Sequence, residues 1–390
     1  METLLQPGAR PPRKWTGLRV LIPSIIFSFF LLNVAMRSIP PRWMAFHAWE
    51  AATLYATAEG DFAPNFHYAN DHAFGDLANM GNLRSFRKYR REVFTTDEFG
   101  FRNPPGSGIS KPPEFIVVGD SYAAGSGVSD RETLSVQLSD LTGKPAYNGA
   151  TYRGHWATTK FLIDRLRMRN GLIVWEFSER WLVPESVRSE TRIHSRNARL
   201  NASEDGELSI VPGKYRQWAD DFLAYSPLDI LIDRVLRRAQ NGVWLPNPSS
   251  RAVVVDRLTN GDAMLFLPDE LEGFYHPHYE NSAYFSEVNA LIRETGNELL
   301  VVLVPDKYNI YHAPLQGAAP APSSQSHLDH LEQDLIRSNV PVLNLTSALR
   351  LQAAKGLQNK EYDYFIDDTH WNQLGIQVAA NEILRYKKIQ

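Results

Sequence analysis

Five short apolar runs between residues 115 and 345 constrain the fold more than any other feature. They are FIVV (115–118), PAYN (145–148), LIVWEF (172–177), LLVVLVP (299–305) and VPVLNL (340–345). Strands that are apolar almost throughout are buried on both faces, as when helices cover a parallel sheet. The sequence between the runs supplies such helices. ETLSVQLSDLTG (132–143) places Leu134, Leu138 and Leu141 on one helical face and stops at Gly143. TTKFLIDRLRMRNG (158–171) and SAYFSEVNALIRETGN (282–297) precede the third and fourth runs in the same way. The fold class expected is α/β, a doubly wound, flavodoxin-like parallel sheet.

Residues 184–285 break this rhythm and read as an inserted subdomain. They hold a helix expected at 218–240 and a strand pair expected around Asn260-Gly261. The chain then divides into an N-terminal tail and anchor (1–40), an extension packing on the catalytic domain (41–110), and the catalytic domain (111–390). In the extension, Arg84, Arg87, Lys88, Arg90 and Arg91 form a basic run, read as a solvated helical face.

The N-terminus carries VLIPSIIFSFFLLNVAM, Val20 to Met36, after Arg10, Arg13, Lys14 and Arg19. An apolar stretch near the lower length limit for a spanning helix, with basic residues before it, predicts a transmembrane helix with its N-terminus in the cytoplasm. Met36 and Arg37 stand where a cleavage site needs small residues, so an uncleaved anchor is favoured over a signal peptide. The location expected is the inner membrane, single-pass, with the catalytic domain in the periplasm or outside the cell. There is no cysteine, which excludes disulfides, a thiolate nucleophile and cysteine-ligated zinc. A net charge of -3 gives no footprint for nucleic acid.

Chemistry is expected where strands end, because ligands of open α/β sheets bind beyond the C-terminal ends of the strands. Gly119-Asp120-Ser121 follows the first run directly, and small residues with Gly125 and Gly127 follow. Ser121 is thus a candidate nucleophile, with backbone N–H groups beside it for an oxyanion. Asp120 reads as a turn former. A serine needs a base, and the base needs an orienting acid. The C-terminal stretch supplies both, with His370 after Asp367 and Asp368. Arg180 and Glu179, one rim further along, read as a sugar or carboxylate contact or as a mutual pair. Lys307, Tyr308 and Trp371 are further candidates for substrate contact, and Trp156 for sugar stacking. His276 with His278, and His327 with His330, have metal-like spacing but no third ligand, so no metal is expected.

VVGDSYAAG (117–125) and DDTHWNQLG (367–375) resemble the first and last blocks of the SGNH (GDSL-type) hydrolase superfamily. YNGATYRGHW (147–156) lies where that family supplies an oxyanion-hole glycine, which makes Gly154 the candidate and Gly149 its rival. The family's Gly-x-Asn-Asp block is missing, and VWEFSERW (174–181) follows the third run instead. FGFRN (99–103), VPDKYNIY (304–311) and DTHWN (368–372) are similar to the exported alginate-type O-acetyltransferases. The resemblance implies a Ser121–His370–Asp triad with Ser121 and Gly154 in the oxyanion hole. The acetyltransferase spacing points to Asp368 as the acid, the esterase spacing to Asp367. It further implies acyl transfer, acetyl above all, to or from an exported polysaccharide or envelope glycan, without a cofactor. Topology adds a membrane acyltransferase partner that hands acetyl groups across the bilayer. The rivals are a carbohydrate or lipid esterase on the same triad, and a non-catalytic scaffold of a polysaccharide-export machine.

Overall fold

The computed structural model describes residues 14–37, 47–53, 60–107, 111–151, 155–181, 253–277, 282–321 and 326–387, with Pro184, 186–188, Ile232 and Val235. The central sheet is formed by five strands: β3 (Phe115–Val118), β4 (Ala146–Asn148), β5 (Leu172–Ser178), β8 (Glu298–Val304) and β9 (Val342–Asn344). β1 (His67–Ala73) pairs antiparallel with β2 (Arg90–Thr95), and β6 (Val254–Arg257) with β7 (Ala263–Phe266). The five apolar runs are the five sheet strands, all parallel, in the order β4-β3-β5-β8-β9.

Alternate residues of these strands feed two cores. Val117, Val174, Leu300 and Val302 face a layer that holds Leu134, Leu138, Leu349 and Ile376. Ile116, Ile173, Trp175 and Val301 face a layer that holds Leu162, Ile163, Val288 and Leu331. Period-two side-chain alternation in fully buried strands therefore requires helices on both faces. Leu141, expected on the inner face of its helix, is 46% exposed, because that helix ends at Thr142 with Gly143 in the left-handed region. The first strand sits inside the order, with its successors on either side. The sheet thus has its topological switch point between β3 and β5, and the loop after β3 carries Ser121.

The hairpin β6–β7 forms where Asn260-Gly261 predicted it, but it is no detached cap. Met264, Leu265 and Phe266 are fully buried, and Leu265 N–H donates to Ile366 O at 2.9 Å. Of the helix expected at 218–240, only Ile232 and Val235 are described, both helical. The basic run is not a solvated helical face. It spans a short turn, Arg84–Phe86, and enters β2, where Arg90 reaches Asp367 and Asp368. At the N-terminus the helix Lys14–Arg37 exposes Val20, Ile25, Ile26 and Phe27. Among the described residues no helix is long and apolar enough to cross a membrane, so the span expected from the sequence is not found.

Arg102 ties the extension to the sheet. Its buried guanidinium donates to the carbonyls of Val93, Ala124, Gly125 and Val128 and pairs with Asp130. These carbonyls belong to β2 and to the loop after Ser121. Arg102→Met is expected to cost about 3 kcal/mol in urea unfolding, because buried acceptors lose their donor. A cost below about 1 kcal/mol would show that the loop holds without it.

Candidate active site

The turn after β3 is built to present Ser121. Gly119 adopts φ +151, and a Cβ there would lie 2.4 Å from the Glu176 carboxylate. Asp120 then caps the short helix Ser121–Ala124, accepting from Tyr122 N–H at 2.7 Å and from the Ser178 hydroxyl at 2.6 Å. Ser121 is its first residue, so its N–H has no intrahelical carbonyl to reach. It also remains partly exposed, while the following three residues are buried.

The second half of the site is the loop 363–372. Phe365 N–H donates to His370 O at 3.1 Å, and Tyr122 O–H donates to Thr369 O at 2.9 Å. Trp371 is fully buried and donates its indole N–H to Tyr122 O at 3.2 Å. Asn372 closes the loop by accepting from Leu374 and Gly375 N–H at the start of the terminal helix Gln373–Lys387.

These two segments place Ser121 Oγ 2.8 Å from His370 Nε2, and His370 Nδ1 2.7 Å from Asp368 Oδ1. A carboxylate only accepts, so Nδ1 carries the imidazole proton and Nε2 accepts from the Ser121 hydroxyl. Burial alone would lower the His370 pKa. The hydrogen bond and charge of Asp368, with the charge of Asp76, outweigh it and hold His370 above the ordinary imidazole value. Burial would likewise raise Asp368, but the hydrogen bond and charge of His370, then Arg90, hold it well below the usual carboxylate range. The arrangement can take a proton from Ser121 and stabilise the imidazolium that results.

The two candidate acids divide cleanly. Asp368 Oδ1 faces His370, and Asp368 Oδ2 accepts from Arg90 at 3.0 Å and from Asp76 N–H at 3.1 Å. Asp367 makes no contact with the imidazole. Its carboxylate accepts from Gly75 N–H and Lys88 N–H, each at 2.8 Å, and from Arg90 at 3.0 Å. Gly75 approaches so closely that a Cβ would meet Asp367 O at 1.8 Å. Asp367 thus fastens the extension to the loop.

Several expected substrate contacts are corrected. Lys307 is fully buried and donates its ammonium to the carbonyls of Phe365 and Asp368, with burial lowering its pKa to about 8. Tyr308 packs edge-on against Phe266 and Phe274 and is 4% exposed. Trp371 offers no face to a sugar. Their rim position was read correctly, but the hairpin β6–β7 and the terminal helix cover them. Arg180 does not pair with Glu179. It donates to Asp306 at 2.8 Å, Tyr122 Oη at 2.8 Å and Glu270 at 3.3 Å, while Glu179 accepts from Asn309 and Asp306 N–H. Gly149 donates its N–H to Val117 O at 2.7 Å and is not available to an oxyanion, whereas Gly154 lies outside the described residues.

Asp76 and Arg90 are site residues that the sequence reading missed. Both come from the extension, and no motif marks them. Asp76, Asp368 and His370 bring ligand-type atoms within 4.8 Å of one another. Both imidazole nitrogens are hydrogen-bonded, one to Asp368 and one to Ser121. Beyond Arg180 opens a cleft of about 410 Å³, lined among others by Trp181, Leu267, Asp269 and Phe274.

Residues 265–387 match the family described as SGNH hydrolase-like domain, acetyltransferase AlgX, and no curated protein matches the chain. The chain resembles that family over the segment that carries Lys307, Asp368 and His370. Ser121 lies outside the matched segment, and it is the fold that brings it to His370.

Glu176, buried beneath the Ser121 turn, accepts from Asp120 N–H at 3.1 Å. Burial, reinforced by the Asp120 charge, pushes its pKa well above the carboxylate range and so favours the neutral acid. Glu176→Gln, nearly isosteric with that acid, is expected to change unfolding free energy by less than about 1 kcal/mol. Glu176→Ala should cost about 3 kcal/mol, because it leaves a cavity and an unmet N–H. Equal losses for both would mean that the ionised form is the one the fold holds.

Proposed function

We propose that the chain is an SGNH-type serine enzyme that transfers an acyl group, above all acetyl, through an ester on Ser121. The 2.8 Å contact between Ser121 Oγ and His370 Nε2, backed by Asp368 at 2.7 Å, is the observation that carries this reading. His370 takes the Ser121 proton as Oγ attacks the acyl carbonyl. The Ser121 N–H faces the oxyanion that forms, and the sequence resemblance offers Gly154 as a second donor. His370 then returns its proton to the leaving oxygen, and Asp368 holds the imidazolium in place meanwhile. In the second half, His370 deprotonates an acceptor hydroxyl, which attacks the Ser121 ester and regenerates the serine.

The acceptor proposed is a hydroxyl of an exported polysaccharide or envelope glycan. The family match supports it, and so does the cleft at the same strand rim, where an exposed Trp181 and the Arg180 cluster offer a stacking face and polar groups. The exposed apolar residues of helix Lys14–Arg37, after a basic N-terminal tail, support attachment to the inner membrane. A membrane acyltransferase would then supply the acyl group. Water as acceptor makes the same site an esterase. A scaffold role would call for no hydrogen-bonded Ser–His–Asp array.

The full-length chain with p-nitrophenyl acetate and a set of envelope oligosaccharides tests the reading. Ser121→Ala and Asp368→Asn are each expected to lower kcat/KM by at least ~10³-fold. Wild type should add an acetyl mass to a sugar. Nitrophenol release without sugar acetylation would make the protein an esterase, and release independent of Ser121 would overturn the reading.

The pH profile is a separate check. His370 acts as a base only when neutral, and its pKa is held above the ordinary 6.5. kcat/KM should therefore rise with pH through a midpoint above 6.5. A midpoint at or below that value would contradict the Asp368–His370 pairing as the source of basicity.

A further inference from the structure

A second carboxylate stands beside the array, and the mechanism above gives it no part. Asp76 opens the short helix Asp76–Met80 of the extension. Its Oδ1 accepts from Thr369 N–H at 2.9 Å, and its Oδ2 from the Thr369 hydroxyl at 2.9 Å. Its own N–H donates to Asp368 Oδ2 at 3.1 Å. Both carboxylate oxygens and the backbone N–H therefore address the two residues that flank His370 in the array.

The direction of the Thr369 hydroxyl matters. Thr369 Oγ1 lies 3.2 Å from His370 Nδ1. A hydroxyl has one proton, and here it points to Asp76, so its oxygen is left as an acceptor facing Nδ1. The Nδ1 proton then meets two acceptors, Asp368 Oδ1 and Thr369 Oγ1. Nothing on that side can donate to Nδ1, which keeps the proton there and the lone pair at Nε2.

We infer that Asp76 is a positioning residue of this site: through Thr369 it holds His370 in the tautomer whose Nε2 faces Ser121, and its negative charge stabilises the imidazolium formed during transfer. The inference rests on the acyl-transfer reading and deepens it, because it makes the extension a working part of the site. The charged groups acting on Asp76 are Asp368 and His370 from the loop and Lys307 from the helix Lys307–Tyr311, with Asp367 and Arg90 of β2 paired beside them. Glu92 and His47 act on the same set through Asp368. Burial, then the Asp368 charge, pushes the Asp76 carboxyl up to about 6, against the opposing pull of His370 and Thr369. It is therefore ionised at pH 7.

The sign of the effect follows from the geometry. Removing the Asp76 charge removes a stabiliser of the imidazolium, so the His370 pKa falls. The test is NMR titration of the His370 imidazole in the full-length chain, assigned by comparison with His370→Gln. Asp76→Asn is expected to lower that pKa by about one unit. Thr369→Val keeps the charge and removes the hydroxyl. It should lower kcat on p-nitrophenyl acetate about tenfold with KM unchanged, and Thr369→Ser should restore it. A purely structural Asp76 would lower the melting temperature and leave the His370 titration where it was. Asp76→Asn with an unshifted His370 pKa overturns the inference. Should that variant not fold, Thr369→Val at full kcat overturns it instead. The titration needs no turnover, so an inactive wild type would sink the acyl-transfer reading and leave the titration to decide the role of Asp76.

Discussion

A carboxylate taken out of water is tolerated only when its charge is answered, and Asp368 is answered from three parts of the chain. The His370 imidazole and backbone N–H meet Oδ1, and the Arg90 guanidinium and Asp76 N–H meet Oδ2. His370 comes from the same loop, Arg90 from the antiparallel ribbon, and Asp76 from the short helix between the ribbon's two strands. Without that convergence the loop 363–372 is still tied to residues 75–90 by Asp367 and Thr369, but nothing from the extension holds Asp368. The imidazole then has no fixed partner on its Nδ1 side, and Ser121 faces a base with no assigned tautomer.

The same convergence explains why the extension belongs to the site. Residues 75–90 meet residues 367–369 across about three quarters of the chain, and closing so long a loop has a real entropic cost. Two aspartates side by side serve the two ends of that closure. Asp367 holds the backbone of the extension, and Asp368 holds the imidazole. Arg90 spans both, which offsets the repulsion of two adjacent negative charges.

Much of this was legible in the sequence, and what was not has a physical reason. Burial on both faces leaves a strong composition signal, so all five sheet strands and three of the helices between them could be read. Gly-Asp-Ser and Asp-Thr-His-Trp were legible because a capped turn after a strand and a tight loop before a helix need particular residues at fixed spacing. Asp76 and Arg90 were not. Asp76 is a lone acid among apolar residues and Arg90 one of five basic residues in a run, and the role of each comes from a contact with residues far away in sequence. Lys307, Tyr308 and Trp371 were misread for a related reason. Strand position put Lys307 and Tyr308 at the rim and a motif block put Trp371 near it, but only packing shows that other elements cover them.

The central claim is that Ser121 becomes acylated because His370 takes its proton. The most direct measurement is the intact mass of the full-length chain, quenched soon after mixing with p-nitrophenyl acetate, with the modified peptide located by fragmentation. The account predicts one acetyl group on Ser121 in wild type and none in His370→Ala. Acetyl on another residue, or on Ser121 to the same extent without His370, would contradict it.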